Sequence, residues 1–111
     1  MKFAVFAFAL ASMVFASPVA ASDQTGHILQ VAADNYGGGY AFYAGARTGK
    51  PACAASDDYW IIVGPSTDNA KAMLSLILTA YATGKTVIIH GNGSCDVGSP
   101  TRESVGYIVL Q

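Results

Sequence analysis

The stretch Thr67-Asp68-Asn69-Ala70-Lys71-Ala72-Met73-Leu74-Ser75-Leu76-Ile77-Leu78-Thr79-Ala80-Tyr81-Ala82-Thr83-Gly84 decides the fold. Outside the N-terminal apolar run it is the one segment with a sustained helical period. Ala70, Met73, Leu74, Ile77, Leu78 and Tyr81 recur at i, i+3, i+4, i+7, i+8 and i+11, which places them on one face. Ser66, Thr67 and Asp68 offer an N-cap, and Gly84 is a natural C′ stop. The opposite face carries Ala72, Ser75, Thr79 and Ala82, with Leu76 and Lys71 at its margins. A solvated helix face normally carries several charges, and this one is small and nearly uncharged. Small residues let a second backbone approach, so Ala72, Ser75, Leu76 and Thr79 form a candidate self-association face. A simply exposed alanine-rich face is the plainer alternative.

Working outward, everything else after residue 21 reads as strand, turn or loop. Residues 22–25 are a polar, loose start. Alternation predicts strands over 27–33, 40–46 and 59–63 before the helix, and over 86–90 and 105–110 after it. Residues 34–39, rich in Asp, Asn and Gly, form a turn, because these residues supply the positive φ a hairpin needs. Residues 47–58 and 91–101 read as loops, holding Cys53 and Cys95. The order β-β-β-α-β-β predicts an all-β barrel with one helix. It is that of the OB-fold, a partly open barrel that binds oligosaccharides or oligonucleotides. The last two strands are apolar on both faces, which a rolled sheet can hide and an open one cannot.

The first residues of the 111-residue chain are read as a targeting segment. Lys2 precedes an apolar run from Phe3 to Phe15, and Val19-Ala20-Ala21 places small residues before a cleavage point. About 13 apolar residues are too few to cross a bilayer, so residues 1–21 are expected to be a cleaved secretory signal, cut between Ala21 and Ser22. Residues 22–111 then form a single domain, secreted or periplasmic. Five basic residues (Arg47, Lys50, Lys71, Lys85 and Arg102) face seven acidic ones in it. The resulting weak negative charge gives no electrostatic grip on nucleic acid or anionic lipid. In an exported protein Cys53 and Cys95 are expected to form a disulfide in preference to a metal site; two free thiols or an intermolecular bridge are the alternatives.

Catalytic patterns are absent. His27 and His90 sit in no recognisable motif, and Gly93-Ser94-Cys95 is not a nucleophile elbow. Asp57-Asp58 reads as a solvated loop pair rather than an acid and base. Gly91-Asn92-Gly93 begins like a dinucleotide fingerprint, but Asp96 stands where the third glycine belongs. Neither a metal nor another cofactor is expected, nor an enzyme. The aromatic residues are the better lead. Phe42, Trp60 and Tyr81 suit barrel core and rim. Tyr36 lies in the first turn beside Tyr40, with Asp34 and Asn35 adjacent. An aromatic face with polar neighbours suits a sugar ring, so Asp34, Asn35, Tyr36 and Tyr40 are the candidate ligand-binding residues.

Tyr40-Ala41-Phe42-Tyr43, Ala52-Cys53-Ala54, Trp60 and the run Ala80-Tyr81-Ala82-Thr83-Gly84-Lys85-Thr86-Val87-Ile88-Ile89 together resemble the B subunits of bacterial AB5 toxins of the subtilase-cytotoxin and pertussis-like type. The layout is similar too to that of small secreted bacterial OB-fold proteins of unassigned role. The resemblance spans roughly residues 40–89. It implies an OB-fold, a homopentamer, binding of sialylated glycans and an exported A subunit as partner. The toxin subunits' sialic-acid contacts do not map onto this sequence, so it assigns no binding residue. The expected function is a secreted, non-catalytic module that recognises cell-surface carbohydrate as a homo-oligomer, without membrane insertion. The alternative is an exported protein-binding or structural domain, an inhibitor or envelope component.

Overall fold

The computed structural model describes residues 22–34 and 39–111. The expected signal segment, Asn35 and Tyr36 lie outside the described residues. The chain forms a six-stranded sheet with one helix: β1 (Asp23–Gly26), β2 (Gln30–Asp34), β3 (Gly39–Tyr43), β4 (Trp60–Val63), α1 (Asp68–Thr83), β5 (Val87–Asp96) and β6 (Ser99–Leu110). The spatial order is β1-β5-β6-β4-β3-β2. Every neighbouring pair is antiparallel except β4 and β6, which run parallel with Trp60 opposite Glu103 and Ile61 opposite Ser104.

The helix forms where its signals place it. The Thr67 hydroxyl accepts from the Ala70 N–H at 3.2 Å, satisfying one of the free donors of the first turn. Gly84, at φ 67°, closes the last turn by donating to the Ala80 carbonyl at 2.9 Å. Its inward face differs from the expected one. Ala70, Ile77 and Ala80 are buried and Met73 and Leu76 pack beside them, whereas Leu78 and Tyr81 are 47% and 55% exposed. Leu76 therefore belongs to the packed side of the helix, and only Ala72, Ser75 and Thr79 of the expected association face are open.

Three strand expectations are corrected. The loose start at 22–25 is β1, and the single strand expected over 27–33 is interrupted at His27–Leu29. Only Gln30–Asp34 forms there, as β2, and β1 and β2 lie at opposite ends of the strand order, β1 against β5 and β2 against β3. The loop expected at 91–101 is a continuing β5–β6 hairpin, whose register shifts between His90 and Gly91, Gly91 and Cys95, and Cys95 and Asp96. Bulges absorb the extra residues, which is why glycines that resemble loop sequence remain in the ladder. The sheet is also less apolar on its outer face than the sequence suggested, with Tyr107 and Val109 exposed on β6.

Two layers of burial result. On the inner side Phe42, Trp60, Ile62, Val87, Ile89 and Val105 pack against α1. Side chains alternate along a strand, so Ile61 points away from Trp60 and Ile62. It is nonetheless fully buried, as are Ala41 and Ala54. The long connection between β3 and β4 supplies this second cover: its one-turn 3-10 helix, Ala52–Ala54, packs on β5 and β6. Cys53 within that turn is disulfide-bonded to Cys95 of β5, with Cα atoms 6.1 Å apart. In the chain-entropy view, closing a 42-residue separation stabilises the fold by up to about 4 kcal/mol.

Gly91 marks the tightest point of the inner layer. A Cβ there would lie 2.5 Å from Glu103 Cδ and 2.7 Å from Trp60 Cζ3, both fully buried. Gly91→Ala is expected to destabilise the fold by about 1–3 kcal/mol through overpacking. The control is Gly26→Ala, where φ is not positive and the added Cβ would meet only the Ala44 carbonyl oxygen at 3.4 Å. Urea unfolding of the two variants checks the difference in midpoint.

Candidate functional site

Beneath the sheet's inner face, polar groups from four distant parts of the chain meet. Arg47, from the connection after β3, donates from Nη2 to Glu103 Oε1 at 2.5 Å and to Ser22 Oγ at 2.6 Å. Glu103 Oε1 also accepts from the Ser22 hydroxyl, while Oε2 accepts from the backbone N–H of Gly93 at 3.0 Å and of Ser22 at 3.4 Å. Both charged side chains are shielded from water. The guanidinium carbon of Arg47 sits 3.5 Å from the centroid of the Trp60 ring, and Trp60 Nε1 donates to Gln24 Oε1 at 2.8 Å. Nη1 of Arg47 is buried with no hydrogen-bond partner among the described residues, so the Trp60 face is its principal compensation. Sequence reading missed this cluster: Arg47 and Glu103 are 56 residues apart and share no motif.

On the outer face, Gln30 of β2, Tyr43 of β3, Tyr59 just before β4 and Arg102 of β6 form a row across four strands. Gln30 is opposite Tyr43 in the ladder. The Tyr43 and Tyr59 rings stack with centroids 5.3 Å apart and planes 27° apart. The Tyr59 hydroxyl donates to Gln30 Oε1, and the Arg102 guanidinium lies 5.0 Å from the Tyr59 ring centroid. Asp57 holds both sides of this contact. Its Oδ1 accepts from the Tyr59 N–H at 2.9 Å and its Oδ2 from Arg102 Nε at 3.0 Å. Beside it, Asp58 accepts from Lys50 Nζ at 2.7 Å. The two acids expected to be simply solvated thus order the loop that carries Tyr59.

The row continues into a hollow of about 470 Å³ lined by Leu29, Gln30, Val31, Ala32, Leu78 and Tyr81. Gln30 belongs to both. Together they make an exposed surface of aromatic and amide groups, with the charges of Arg102 and Lys50 each matched by an aspartate. A nearly neutral surface of this type offers ring faces for C–H packing and amide and phenol groups for hydroxyls. Lacking an excess charge, it does not suit a polyanion.

Of the residues expected to bind ligand, Asp34 and Tyr40 are among the described ones, and neither belongs to the row. Tyr40 is half-buried, packs against the inner core and donates from its hydroxyl to the Pro65 carbonyl at 3.5 Å. Asp34 ends β2 opposite Gly39, away from the row. Period-two alternation distinguishes the tyrosines: Tyr40 shares the inner face with Phe42, and Tyr43 takes the outer one. Ala72 and Leu76 line a second, smaller hollow of about 300 Å³ with Met73, Asn69 and Tyr107. Tyr107 stacks on His90 at 4.0 Å, and His90 Nδ1 is 2.8 Å from Asp23 Oδ1. Among the described residues, no three His, Cys, Asp or Glu side chains are grouped to hold a metal ion, and no helix is long and apolar enough to cross a membrane.

The Lys50 ammonium, by its hydrogen bond and its charge, holds the Asp58 carboxyl below its ordinary value of 3.8. A carboxyl lowered in the folded state stabilises the fold above the unfolded-state pKa, and that contribution fades as pH falls through the lowered value. The acid side of the stability profile, below about pH 4, is therefore expected to flatten in Asp58→Asn, as thermal unfolding from pH 5 to pH 2 would record. In the interior, Arg47→Ala and Glu103→Ala are each expected to cost about 3–5 kcal/mol, the double variant costing less than the sum because neither charge is then left unpaired. A double-mutant cycle in urea measures that coupling. Compared with known proteins, the chain matches no family model, no curated protein and no solved structure.

Proposed function

We propose that this protein is an exported, non-catalytic binding module of the OB type that recognises cell-surface carbohydrate on the Gln30–Tyr43–Tyr59–Arg102 row. The stacked Tyr43–Tyr59 pair carries the reading. It supplies a broad aromatic surface with an amide beside it, and it lies on strands whose counterparts in an OB barrel form the binding face. In support of that barrel, β1 and β2 are consecutive in the chain, flank the sheet, and count as the two halves of one bent first strand. Gln24 Nε2 of β1 donates to the carbonyls of Ala44 and Gly45 beyond β3, at 3.1 and 3.2 Å, and the Leu29 N–H donates to the Tyr43 carbonyl at 2.8 Å. The open edge of β1 is thereby drawn toward the end of β3, the direction in which a barrel closes. The parallel β4–β6 pair and the helix between β4 and β5 fit the same plan.

The disulfide supports an oxidising compartment, consistent with the signal segment read in the sequence. The open helix residues Ala72, Ser75 and Thr79 support self-association, for which the pentamer of toxin B subunits is the guide. A second reading, an exported protein-binding domain, is favoured by the apolar hollow of Leu29, Leu78 and Tyr81 beside the edge strand β2, since edge strands accept a partner's strand.

A glycan array probed with the oxidised chain starting at Ser22 distinguishes these readings. Binding to a defined glycan set is expected, with Tyr59→Ala and Tyr43→Ala each weakening it at least about ten-fold, the order expected for loss of an aromatic contact surface. The circular dichroism spectrum should remain unchanged. No glycan binding, or binding indifferent to both substitutions, overturns the proposal.

A further inference from the structure

We propose that the amino group of Ser22, set free when the N-terminal segment is removed, is an N-terminal ammonium that docks on the buried carboxylate of Glu103. Ser22 is therefore a processing-dependent site, and cleavage at that bond completes the interior of the protein. The inference rests on export, one part of the proposed function, and is independent of what the aromatic row binds.

The geometry at Ser22 is unusual for a first residue. It is 5% exposed, and its nitrogen faces Glu103 Oε2 at 3.4 Å. Its carbonyl accepts from the Gly91 N–H at 2.9 Å, and its hydroxyl bridges Arg47 and Glu103. Every polar group of the residue is thus engaged, and Ser22 cannot shift without breaking the cluster. The 3.4 Å contact is within ion-pair reach, and an N⁺–H···O⁻ bond, usually about 2.7–2.9 Å long, would draw the two groups closer. The cleavage expected between Ala21 and Ser22 produces that ammonium at this nitrogen. It replaces one amide donor by three and adds a positive charge beside a buried negative one.

Charge accounting explains why Glu103 can use a second cation. Arg47 engages Oε1 through a single nitrogen; its other terminal nitrogen has no hydrogen-bond partner among the described residues, and the guanidinium carbon lies 3.5 Å from the Trp60 ring centroid. Among the described residues, Oε2 receives only backbone N–H donors, from Gly93 and Ser22. An ammonium at Ser22 would stand 3.4 Å from Oε2 while the guanidinium holds Oε1, so the two cations would share one carboxylate. The ionisable groups around it are Glu103 of β6, Arg47 of the β3–β4 connection, Asp23 of β1 and His90 of β5, the last two bonded to each other. Burial and the Arg47 charge favour the neutral amine, and the Glu103 carboxylate favours the ammonium. Docking on Glu103 means that the carboxylate prevails, which would hold the ammonium charged above the ordinary α-amino value of about 8. A cation whose pKa is raised on folding stabilises the fold below its unfolded pKa, and that stability disappears as pH rises through the folded value.

The test compares the chain beginning at Ser22 with the same chain N-acetylated, which keeps an N–H donor and abolishes the charge. At pH 7 the acetylated chain is expected to have an unfolding constant about ten-fold larger, the order of a charge-assisted hydrogen bond, and the gap should close above about pH 10. The interactions of Arg47, Asp23 and His90 with one another and with Glu103 are common to both chains and cancel. In the Glu103→Gln background the difference should vanish. If that variant does not fold, the pH dependence of Ser22 acylation by a small amine-reactive reagent decides: at least a one-unit upward shift relative to the chain in denaturant is expected. The intact mass of exported protein must correspond to a start at Ser22. Equal stability of the free and acetylated chains, an unshifted acylation profile, or a mature start at another residue overturns the proposal.

Discussion

The structure depends on one buried ion pair. Glu103 has no access to water, and Arg47 reaches it from the connection between β3 and β4. Removing two charges from water is costly, and the pair is tolerable only where every remaining lone pair and proton finds a partner. Here Ser22 and Gly93 bond the carboxylate, the Trp60 ring lies against the guanidinium in place of a partner for Nη1, and the absence of a side chain at Gly91 supplies the room. Such a pair adds little net stability compared with well-packed apolar residues. Its effect is selective, because any arrangement that separates the two charges leaves one of them uncompensated. The start of the chain, the long connection, the bulged β5 strand and β6 must therefore be in place together.

The second constraint is covalent. The β3–β4 connection is polar and has little regular structure of its own, so without a tether it would have little reason to lie across β5 and β6. The Cys53–Cys95 bond ties it there, and Ala54 becomes fully buried beneath it. The same connection delivers Arg47 to the interior and Asp57 and Asp58 to the outer surface. Asp57 then bonds the backbone of Tyr59 and the side chain of Arg102 at once. An aromatic surface on a loop would cost ordering entropy on binding; held by a disulfide and a shared aspartate, it is ordered beforehand.

What was legible in the sequence was what is local. The helix, from its Thr67 cap to its Gly84 stop, is encoded within eighteen consecutive residues, so period and capping chemistry place both ends. Which of its faces turns inward was less legible. Leu78 and Tyr81 satisfy the periodic pattern as well as Leu76 and Ala80 do, and only the sheet beneath chooses between them. The short strand β1 was hidden because four polar edge residues that pair far along the chain leave no local mark. The β5–β6 hairpin was hidden because bulge glycines and loop glycines are the same residues. Of the expected ligand-binding set, Tyr40 lies on the inner side of β3 and its neighbour Tyr43 on the outer, a difference of parity that composition does not carry.

Parity also joins the interior to the surface. Trp60 and Glu103 face each other in the parallel β4–β6 register and point inward. The residues immediately before them, Tyr59 and Arg102, therefore point outward and meet across the same two strands. A slip of β6 by one residue would carry Arg102 into the core and Glu103 out of it, leaving Arg47 buried without its partner, so the buried pair forbids it. The outer row is thus positioned by what lies beneath it. Gln24 reinforces the link: it bonds the Trp60 indole and, through its amide nitrogen, the carbonyls of Ala44 and Gly45 next to Tyr43. The aromatic surface stands in a fixed relation to a charge pair it never touches, and a change in that pair reaches the surface through the register of two strands.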